Sequence, residues 1–267
     1  CAPKVDRPLG EHLDQLYETA CSRCGRLVPA MAFVWDRGTG APVLREYACP
    51  HCQETAREPL PATEVARHLG SPLPGFHRHY LAERLRTGGG HERLQQRLLG
   101  LYTPRNLYAL TTLALKVEVL FAASPLLDAL RAALVHTLDV ASQLNLATEE
   151  GWRPVRSLQA PRRFREANVW RVFAEAVTWM ASWPRPARPV LAASLAQATA
   201  PGAAGAGLAY IGAEPLARLA AQLEGQVALV LSQLPRFDPT FAALSYLWSG
   251  WLLGKEGARA AERLLGQ

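Results

Sequence analysis

Two Cys-x-x-Cys pairs in the first quarter of the chain have the residue type and spacing of a metal site. They are Cys21–Cys24 and Cys49–Cys52, separated by 24 residues. Four thiolates arranged as two such pairs suit one tetrahedral Zn²⁺, with each pair forming a tight turn around the ion. Because four protein ligands leave no open coordination position, the predicted site is structural and implies no reaction by itself.

The segment between the two pairs is expected to form the hairpin that positions them. Residues 27–35 and 43–48 are apolar and rich in strand-forming residues, and Arg-Gly-Thr-Gly at 37–40 is a turn signal between them. The sequence therefore predicts a small β zinc ribbon over residues 21–60. A ribbon of this size has little core, so we expect metal binding to supply most of its folding free energy, on the order of 10 kcal/mol.

The other uses of these thiols are weaker hypotheses. Two structural disulfides are the main alternative, but nothing else in the sequence is typical of a secreted protein. Cys1 lies outside the pattern, and His51 becomes a ligand only if one of the four cysteines points away. Four thiolates around a dication leave a net charge of about −2, so neighbouring donors should matter. Arg23, Arg26 and the backbone amides of the two turns are the candidates.

A cluster of arginines in the middle of the chain is a second candidate site. It comprises Arg153, Arg156, Arg162, Arg163, Arg165 and Arg171. Trp152, Phe164 and Trp170 lie between them, and arginines interleaved with aromatic rings can neutralise phosphates and stack on bases. A solvated surface, on which these arginines pair with neighbouring glutamates, is an equally open interpretation.

Arg105 is a separate candidate because it lies at the predicted start of a helix. Thr103-Pro104 is an N-cap followed by proline at the first helical position. Arg105-Asn106 could there contact a phosphate or a base edge. Packing of the same turn within the fold is the alternative, and the residue types favour it.

The composition is that of a globular protein with a basic surface. The chain has 267 residues, 49% of them hydrophobic, and a formal net charge of +6. This is enough for one large or two modest cores, and it favours polyanionic partners, nucleic acid first. We expect a cytoplasmic protein without membrane contact, since the sequence shows neither a secretory signal nor an uninterrupted apolar span. Cys in place of Met at position 1 suggests a fragment.

Periodicity and breakers divide the chain into four parts of mixed fold class. A leading helix over 1–20 precedes the ribbon at 21–60. A mainly α-helical region follows over 61–185, including a helix from Arg165 to about Ser182. The character changes after Pro184-Arg185-Pro186. A predicted strand at 208–211 and a second at 227–231 indicate a partial α/β segment over 186–267.

Several motifs resemble one enzyme family. The tail carries Ile-Gly-Ala-Glu at 211–214, the apolar run 227–231, and Ser-Gln-Leu-Pro-Arg-Phe at 232–237, followed by Phe-Ala-Ala-Leu-Ser-Tyr-Leu-Trp at 241–248. Leu-Tyr-Thr-Pro-Arg-Asn-Leu-Tyr-Ala-Leu at 101–110 and Arg-Glu-Ala-Asn-Val-Trp at 165–170 belong to the same set. Together with the position of the ribbon, they resemble the zinc-ribbon-containing adenine-specific DNA methylases, which methylate an amino group of a base. The resemblance covers most of the chain as scattered motifs.

The resemblance implies a place for this chain within such an enzyme. The segment between the cofactor-binding half and the catalytic loop is the target-recognition region in enzymes ordered this way. Double-stranded DNA is then the implied partner. S-adenosylmethionine would be bound only with an upstream half, in the same chain or in a partner subunit, because no glycine-rich loop follows a predicted strand here.

The implied catalytic loop departs from the family pattern. The family places Asp or Asn, two prolines and an aromatic residue directly after a parallel strand. Here Gln233 stands at the first position, Leu234 replaces the first proline, Pro235 is kept, and Arg236 stands at the aromatic position. Phe237 can stack on a flipped base only if the register slips by one residue. We therefore expect the chain to be catalytically inactive by itself.

Two hypotheses for function follow from the sequence. The first is the DNA-binding, target-recognition portion of a DNA methyltransferase-like protein with a structural zinc ion. The second is a zinc-ribbon module that binds another protein and carries a remnant methyltransferase-like tail. A free-standing methyltransferase is a third possibility, which the departures in the catalytic loop disfavour.

Overall fold

The chain forms a mixed α/β structure in two compact units, described from a computed structural model. The structure describes residues 7–69, 75–155, 157–182, 190–192, 207–209 and 238–265. One unit comprises residues 1–181 and 237–267, and the other comprises residues 182–236. Each is described separately below.

The first unit contains eight strands and eight helices among its described residues. The strands are β1 (Glu18–Ala20), β2 (Leu27–Pro29), β3 (Ala32–Asp36), β4 (Ala41–Ala48), β5 (Thr55–Pro59), β6 (Asn145–Thr148), β7 (Gly151–Pro154) and β8 (Arg163–Ala167). The helices are α1 (Leu9–Asp14), α2 (Ala62–Leu69), α3 (Phe76–Leu85), α4 (Glu92–Leu99), α5 (Pro104–Leu120), α6 (Leu127–Val140), α7 (Val169–Ser182) and α8 (Pro239–Glu262). A 3-10 turn, Gln15–Tyr17, joins α1 to β1.

Six of the strands form one antiparallel sheet in the order β5-β4-β3-β8-β6-β7. The hairpin of β3 and β4 lies where the sequence predicts it, with β4 continuing into β5. Strand β3 lies at the centre, paired along its whole length with β8, so that Phe33 is opposite Glu166. The predicted ribbon and the middle of the chain therefore share a sheet within one compact unit.

The sheet is curved. Arg57 on β5 donates a hydrogen bond from Nη1 to the backbone oxygen of Glu149, in the turn between β6 and β7, at 2.5 Å. These elements are separated by three strands in the sheet order, so they meet only because the sheet bends. The curvature agrees with the 1% exposure of Val34 on the central strand.

The helices enclose the main hydrophobic core next to the sheet, and a smaller cluster of Cys21, Val28, Tyr47 and Cys49 is separate from it. Members of the main core come from α1, the sheet and α3 to α8, and the large fully buried side chains include Tyr17, Phe33, Leu110, Leu138 and Tyr246. Helix α5 is the central helix, since its residues 105–113 are all buried. The sequence predicts its start correctly. Thr103 Oγ1 accepts a hydrogen bond from the Asn106 amide, and Pro104 occupies the first turn.

The region 145–167 differs from the sequence prediction of a mainly α-helical region with a helix that starts at Arg165. Three strands lie there, and α7 begins only at Val169. Asn168 explains the later start, because its side-chain oxygen accepts hydrogen bonds from the amides of Trp170 and Arg171, as an N-cap does. Strand β8 was hard to recognise in the sequence because a charged residue, Glu166, occupies a buried position of it. Glu166 is buried by ion pairing and not by apolar contact.

The second unit is described by one pair of short strands. Strand β9 (Val190–Ala192) pairs in parallel with β10 (Gly207–Ala209), with Leu191 opposite Leu208. Strand β10 overlaps the predicted strand at 208–211. The predicted strand at 227–231 lies outside the described residues. A mixed α/β fold is thus observed, and a methyltransferase-like architecture for this unit stays a prediction.

Candidate metal centre and arginine surface

The two Cys-x-x-Cys turns have the same backbone geometry. In the first, the amide of Cys21 donates to the oxygen of Arg26, and the amide of Gly25 donates to the oxygen of Cys21, both at 2.9 Å. In the second, Cys49 pairs with Glu54 at 2.7 Å, and the amide of Gln53 donates to the oxygen of Cys49 at 2.9 Å. The residue after each pair has a positive φ, 70° at Gly25 and 59° at Gln53. The sequence therefore builds the same loop twice.

The four thiols of these turns converge on one point. Cys21 Sγ lies 3.6 Å from Cys52 Sγ, and Cys24 Sγ lies 3.7 Å from Cys49 Sγ. All four sulfurs lie within 4.8 Å of one another, and all four cysteines are free thiols. Zn–S bonds of about 2.3 Å at tetrahedral angles place sulfurs about 3.8 Å apart. The arrangement is therefore compatible with zinc, and His51 is not needed as a ligand, since its Nδ1 lies 3.0 Å from Arg26 Nη1.

The four thiols of the cluster compete to ionise, and the pKa values of Cys21 and Cys52 are shifted in opposite directions. The backbone amide of Cys24, helped by that of Arg23, lowers the pKa of Cys21 to about 6. At Cys52 the amide of Glu54 favours the thiolate. Burial and hydrogen bonds shared with the other three sulfurs nevertheless raise the pKa of Cys52 to about 12. Four such groups cannot all ionise together unless a cation replaces their protons, which is what a metal ion does.

A buried polar network joins the first turn to the sheet. The hydroxyl of Tyr47, a fully buried residue on β4, accepts a hydrogen bond from the Ser22 amide at 3.0 Å and donates to Glu58 at 3.0 Å. Arg45, two residues earlier, pairs with both Glu58 and Glu64 at 2.7 Å. Side chains of β4, β5 and α2 therefore hold the first cysteine turn in place.

The predicted arginine surface is partly assembled at one end of the sheet. Arg162 and Arg163 have side chains that are 82% and 61% exposed, and both lie 3.6 Å from the carboxylate of Asp36. The amide of Arg37 donates to the oxygen of Arg162 at 2.9 Å, which places a third arginine beside them. The amide of Gly38 and then the two arginines hold the pKa of Asp36 below its usual range. One carboxylate therefore faces two guanidinium groups here, and the side chain of Arg37 is directed to the backbone oxygen of Ala160.

Trp152 and Arg153 lie on the edge strand β7, next to this surface. Trp152 is opposite Ala147, and the pairing of Leu146 with Phe164 brings Ala147 opposite Arg163. The indole of Trp152, 41% exposed, thus lies in the same row of the sheet as Arg163. Arg153 is also exposed. Of the three aromatic residues in the predicted pattern, only Trp152 offers an exposed ring, because Phe164 is buried against Trp35 and Trp170 is partly buried.

The remaining arginine candidates are placed differently. Arg165 is 11% exposed and pairs with Glu46 at 2.8 Å. Arg171 lies 3.8 Å from Asp14. Arg156 lies outside the described residues.

Arg105 is an internal residue. Its guanidinium pairs with Glu166 at 3.1 Å, donates to the oxygen of Leu16 at 2.9 Å, and lies 4.8 Å from the ring centre of Phe33. The hydrogen-bonding groups of Arg105 are used inside the fold. Arg105 therefore has a packing role, which is the alternative that the sequence favours.

Arg105 and Glu166 line a cavity of about 400 Å³ between α2, α5 and the sheet. The second carboxylate oxygen of Glu166 accepts a hydrogen bond from Trp35 at 2.6 Å, and its first oxygen accepts one from Thr103. His68 also lines the cavity, and its Nδ1 lies 2.9 Å from Arg105 Nη1. Burial, then the charges of Arg105 and Arg67, lower the pKa of His68 to about 3. His68 is therefore a neutral hydrogen-bond acceptor towards Arg105.

The candidate catalytic residues Gln233, Pro235 and Phe237 lie outside the described residues, as does Cys1. No protein-family model matches this chain, and comparisons with curated proteins and with solved structures also find no match. Within the described part of the chain, no helix has the length and apolar character needed to cross a membrane.

Proposed function

We propose that this chain is the DNA-binding, target-recognition portion of a DNA methyltransferase-like protein, with a structural Zn²⁺ held by Cys21, Cys24, Cys49 and Cys52. The observation that carries the proposal is the group of arginines at one end of the sheet. Arg162 and Arg163 share a single carboxylate, and Arg37 is joined to Arg162 by a backbone hydrogen bond. The surface therefore keeps a local excess of positive charge that suits a phosphate backbone.

Two further observations support DNA as the polyanion. Trp152 presents an exposed ring in the row of the sheet that contains Arg163, which provides a stacking surface beside a phosphate contact. The chain as a whole carries a formal net charge of +6, which favours association with polyanions. The methyltransferase connection comes from the motifs at 101–110, 165–170 and 211–248.

The zinc ion would position this surface without taking part in it. The sulfur cluster joins the turn between β1 and β2 to the turn between β4 and β5. Strand β4 pairs with β3, whose last residue, Asp36, contacts Arg162 and Arg163. A metal bound to the cysteines would therefore stabilise β4 and, through its pairing with β3, the strand whose far end carries the arginine surface.

Binding to a duplex at several salt concentrations tests the proposal. We expect measurable affinity whose logarithm falls linearly with the logarithm of salt concentration. The double variant R162Q/R163Q should lower the magnitude of that slope by about 2 if each arginine contacts one phosphate, and should weaken binding at least about tenfold.

The matched control is R131Q/R259Q. Both arginines of the control form exposed helical pairs, Arg131 with Asp128 at 3.2 Å and Arg259 with Glu256 at 2.7 Å. The control removes the same number of positive charges, but from helices α6 and α8 and not from the sheet. Its salt slope should therefore equal that of the unaltered chain. Equal losses of DNA affinity in both variants would show that only the net charge of the chain matters. Absence of salt-dependent DNA binding would exclude the proposal.

S-adenosylmethionine binding and catalysis belong to this proposal only through an upstream half. We expect no affinity of the isolated chain for S-adenosylmethionine, because its sequence lacks a cofactor loop and its Gln233 to Phe237 segment departs from the catalytic pattern. Calorimetric titration of the chain with S-adenosylmethionine measures this. A clear binding isotherm would instead support a free-standing methyltransferase.

A protein-binding module is the second candidate, and an apolar surface favours it. Phe241 and Leu253 on α8 are 62% and 54% exposed, and Val135 on α6 lies beside them. They line a cavity of about 330 Å³ whose walls are mostly apolar. If an upstream methyltransferase half docks there, capture of that half should survive nuclease treatment and be lost in F241S/L253S. Loss of capture on nuclease treatment would favour association through DNA alone.

A further inference from the structure

A second group of cations extends the arginine surface into a concave site. A cavity of about 210 Å³ lies between the turn after β3, the end of α4 and the loop before β8. Its described polar side chains are Arg37, Arg97, Gln143 and Gln159, and no acidic residue is among those that line it. A concave site with two guanidinium groups and two amides, and no carboxylate, has the composition of an oxyanion site.

The two arginines are not neutralised by the described part of the protein. Arg37 donates one hydrogen bond from Nη1 to the backbone oxygen of Ala160 at 3.0 Å, which orients it without balancing its charge. Asp36, the adjacent acid, faces Arg162 and Arg163. Arg97 projects from the exposed side of α4, whose neighbouring residues Leu98 and Leu99 are buried. In the described residues neither arginine forms an ion pair, so both keep donors for a ligand.

The walls of this cavity are firmly placed. The amide of Gln143 donates to the oxygen of Leu101 at 2.7 Å, and the amide of Gly100 donates to the oxygen of Gln96 at 3.0 Å. The amide of Arg37 donates to the oxygen of Arg162. These backbone hydrogen bonds join the segment after α6 to the end of α4, and the turn after β3 to the loop before β8. The side chains therefore converge from hydrogen-bonded backbone segments, which reduces the entropy lost on binding.

We propose that the cavity lined by Arg37 and Arg97 binds a phosphate group of a nucleic acid. Guanidinium groups bind phosphate oxygens in pairs of hydrogen bonds, and the glutamine amides can complete the contact. The backbone hydrogen bond between Arg37 and Arg162 makes this cavity continuous with the exposed arginines of the sheet. The inference deepens the proposed function by naming where one phosphate is bound and by adding two residues that the sequence motifs did not indicate.

The experiment uses three probes with the full chain: inorganic phosphate, a short duplex ending in 5′-hydroxyl groups, and the same duplex ending in 5′-phosphates. We expect R37Q/R97Q to abolish phosphate binding, followed by ³¹P line broadening, and to weaken duplex binding about tenfold. Its salt slope should fall by about 1, for the single phosphate held there. Circular dichroism confirms folding, and R131Q/R259Q serves again as the charge control.

The outcomes separate this inference from the proposed function. If R162Q/R163Q weakens duplex binding while R37Q/R97Q binds all three probes as the unaltered chain does, the phosphate site is overturned and the DNA-binding proposal stands. If the unaltered chain binds inorganic phosphate through Arg37 and Arg97 but binds neither duplex, the DNA-binding proposal fails, and the assignment of the cavity to a nucleic-acid phosphate fails with it. A preference for the 5′-phosphorylated duplex assigns the site to a terminal phosphate, and equal affinities assign it to a backbone phosphate.

Discussion

The two cysteine turns differ at one residue that carries a backbone cost. Gly25 follows the first pair and Gln53 the second, and both have the left-handed backbone that only glycine adopts without strain. The second turn keeps the conformation because its hydrogen bonds and the sulfur cluster require it. Metal sites commonly contain such backbone strain, because the free energy of the metal–ligand bonds offsets it.

Replacement of Gln53 by glycine should stabilise the metal-loaded chain. The change relieves a left-handed conformation worth about 1–2 kcal/mol. The added freedom of the unfolded glycine costs about 0.4–1 kcal/mol, so the free energy of unfolding should rise by about 0.5–1 kcal/mol. Denaturant unfolding with excess zinc measures this. The reciprocal variant Gly25→Gln should be destabilised, and a loss of stability in Gln53→Gly would contradict the proposed strain.

The choice of ligands can be tested with one cysteine and one histidine. Cys52→Ser removes one of the four converging sulfurs, so we expect loss of stoichiometric zinc, measured by metal analysis after gel filtration. His51→Ala should retain one zinc per chain, because the imidazole lies against Arg26 and not in the sulfur cluster. Zinc lost equally from both variants would show that histidine belongs to the coordination sphere.

At the scale of elements, the central helix and the central sheet are joined by a buried ion pair. Arg105 opens α5 and Glu166 lies on β8, where only 1% of the residue is exposed. Trp35 from β3 and Thr103 at the cap of α5 also bind this carboxylate. The arrangement fixes how α5 crosses the sheet, and its cost in desolvation is offset only while both charges remain.

Glu166→Gln should therefore be strongly destabilising. The amide leaves the guanidinium of Arg105 buried without its counter-charge, and we expect a loss of about 3–5 kcal/mol in the free energy of unfolding. The control is Glu256→Gln, which breaks the exposed pair with Arg259 and should change stability by less than about 0.5 kcal/mol. Comparable small effects at both positions would mean that the buried pair tolerates neutralisation.

His68, which accepts from Arg105 in the same region, should make stability depend on pH. Burial and two nearby arginines lower its pKa to about 3 in the folded chain, whereas the unfolded value is about 6.5. The unfolded state then binds the proton first, so the free energy of unfolding should fall as pH decreases from about 6.5 towards 3. Urea titrations of the zinc-loaded chain and of its His68→Gln variant at each pH measure the free energy of unfolding. The same pH dependence in both proteins would show that His68 is not the source of it.

Sequence patterns located the elements that depend on local chemistry. The cysteine turns, the β3–β4 hairpin and the cap at Thr103 all follow from short-range spacing. Strand β8 was missed because its signal is long-range. Its glutamate is acceptable only beside an arginine 61 residues earlier. The cavity of Arg37 and Arg97 was missed for the same reason, since its walls come from distant parts of the chain.

At the scale of the whole molecule, the first compact unit is built from chain segments far apart in sequence. Its sheet joins residues 32–59 to residues 145–167, and α8 returns from beyond residue 237 to pack against α3 and α4. Tyr246 on α8 donates a hydrogen bond to the oxygen of Leu85, and Gln95 donates to its hydroxyl at 2.9 Å. A perturbation in the cysteine turns should consequently spread beyond residues 21–60.

Removal of the metal should lower the stability of the entire first unit. After chelation, we expect amide exchange to accelerate in the hairpin and also in β8 and α7, because β8 pairs with β3 along its whole length. Hydrogen exchange followed by mass spectrometry, with and without chelator, measures this by segment. Faster exchange confined to residues 21–60 would instead indicate an independently folding ribbon.

The pairing of β3 with β8 also constrains how the chain is made. Ala32 leaves the ribosome well before Ala167, its partner in the sheet, and translation at about 5–20 residues per second makes that interval roughly ten seconds. During this time the nascent hairpin has one uncovered edge, with Phe33 and Val34 on it, which is a site for wrong pairing. Early zinc capture by the two cysteine turns would hold that hairpin in shape until its partner strand is synthesised.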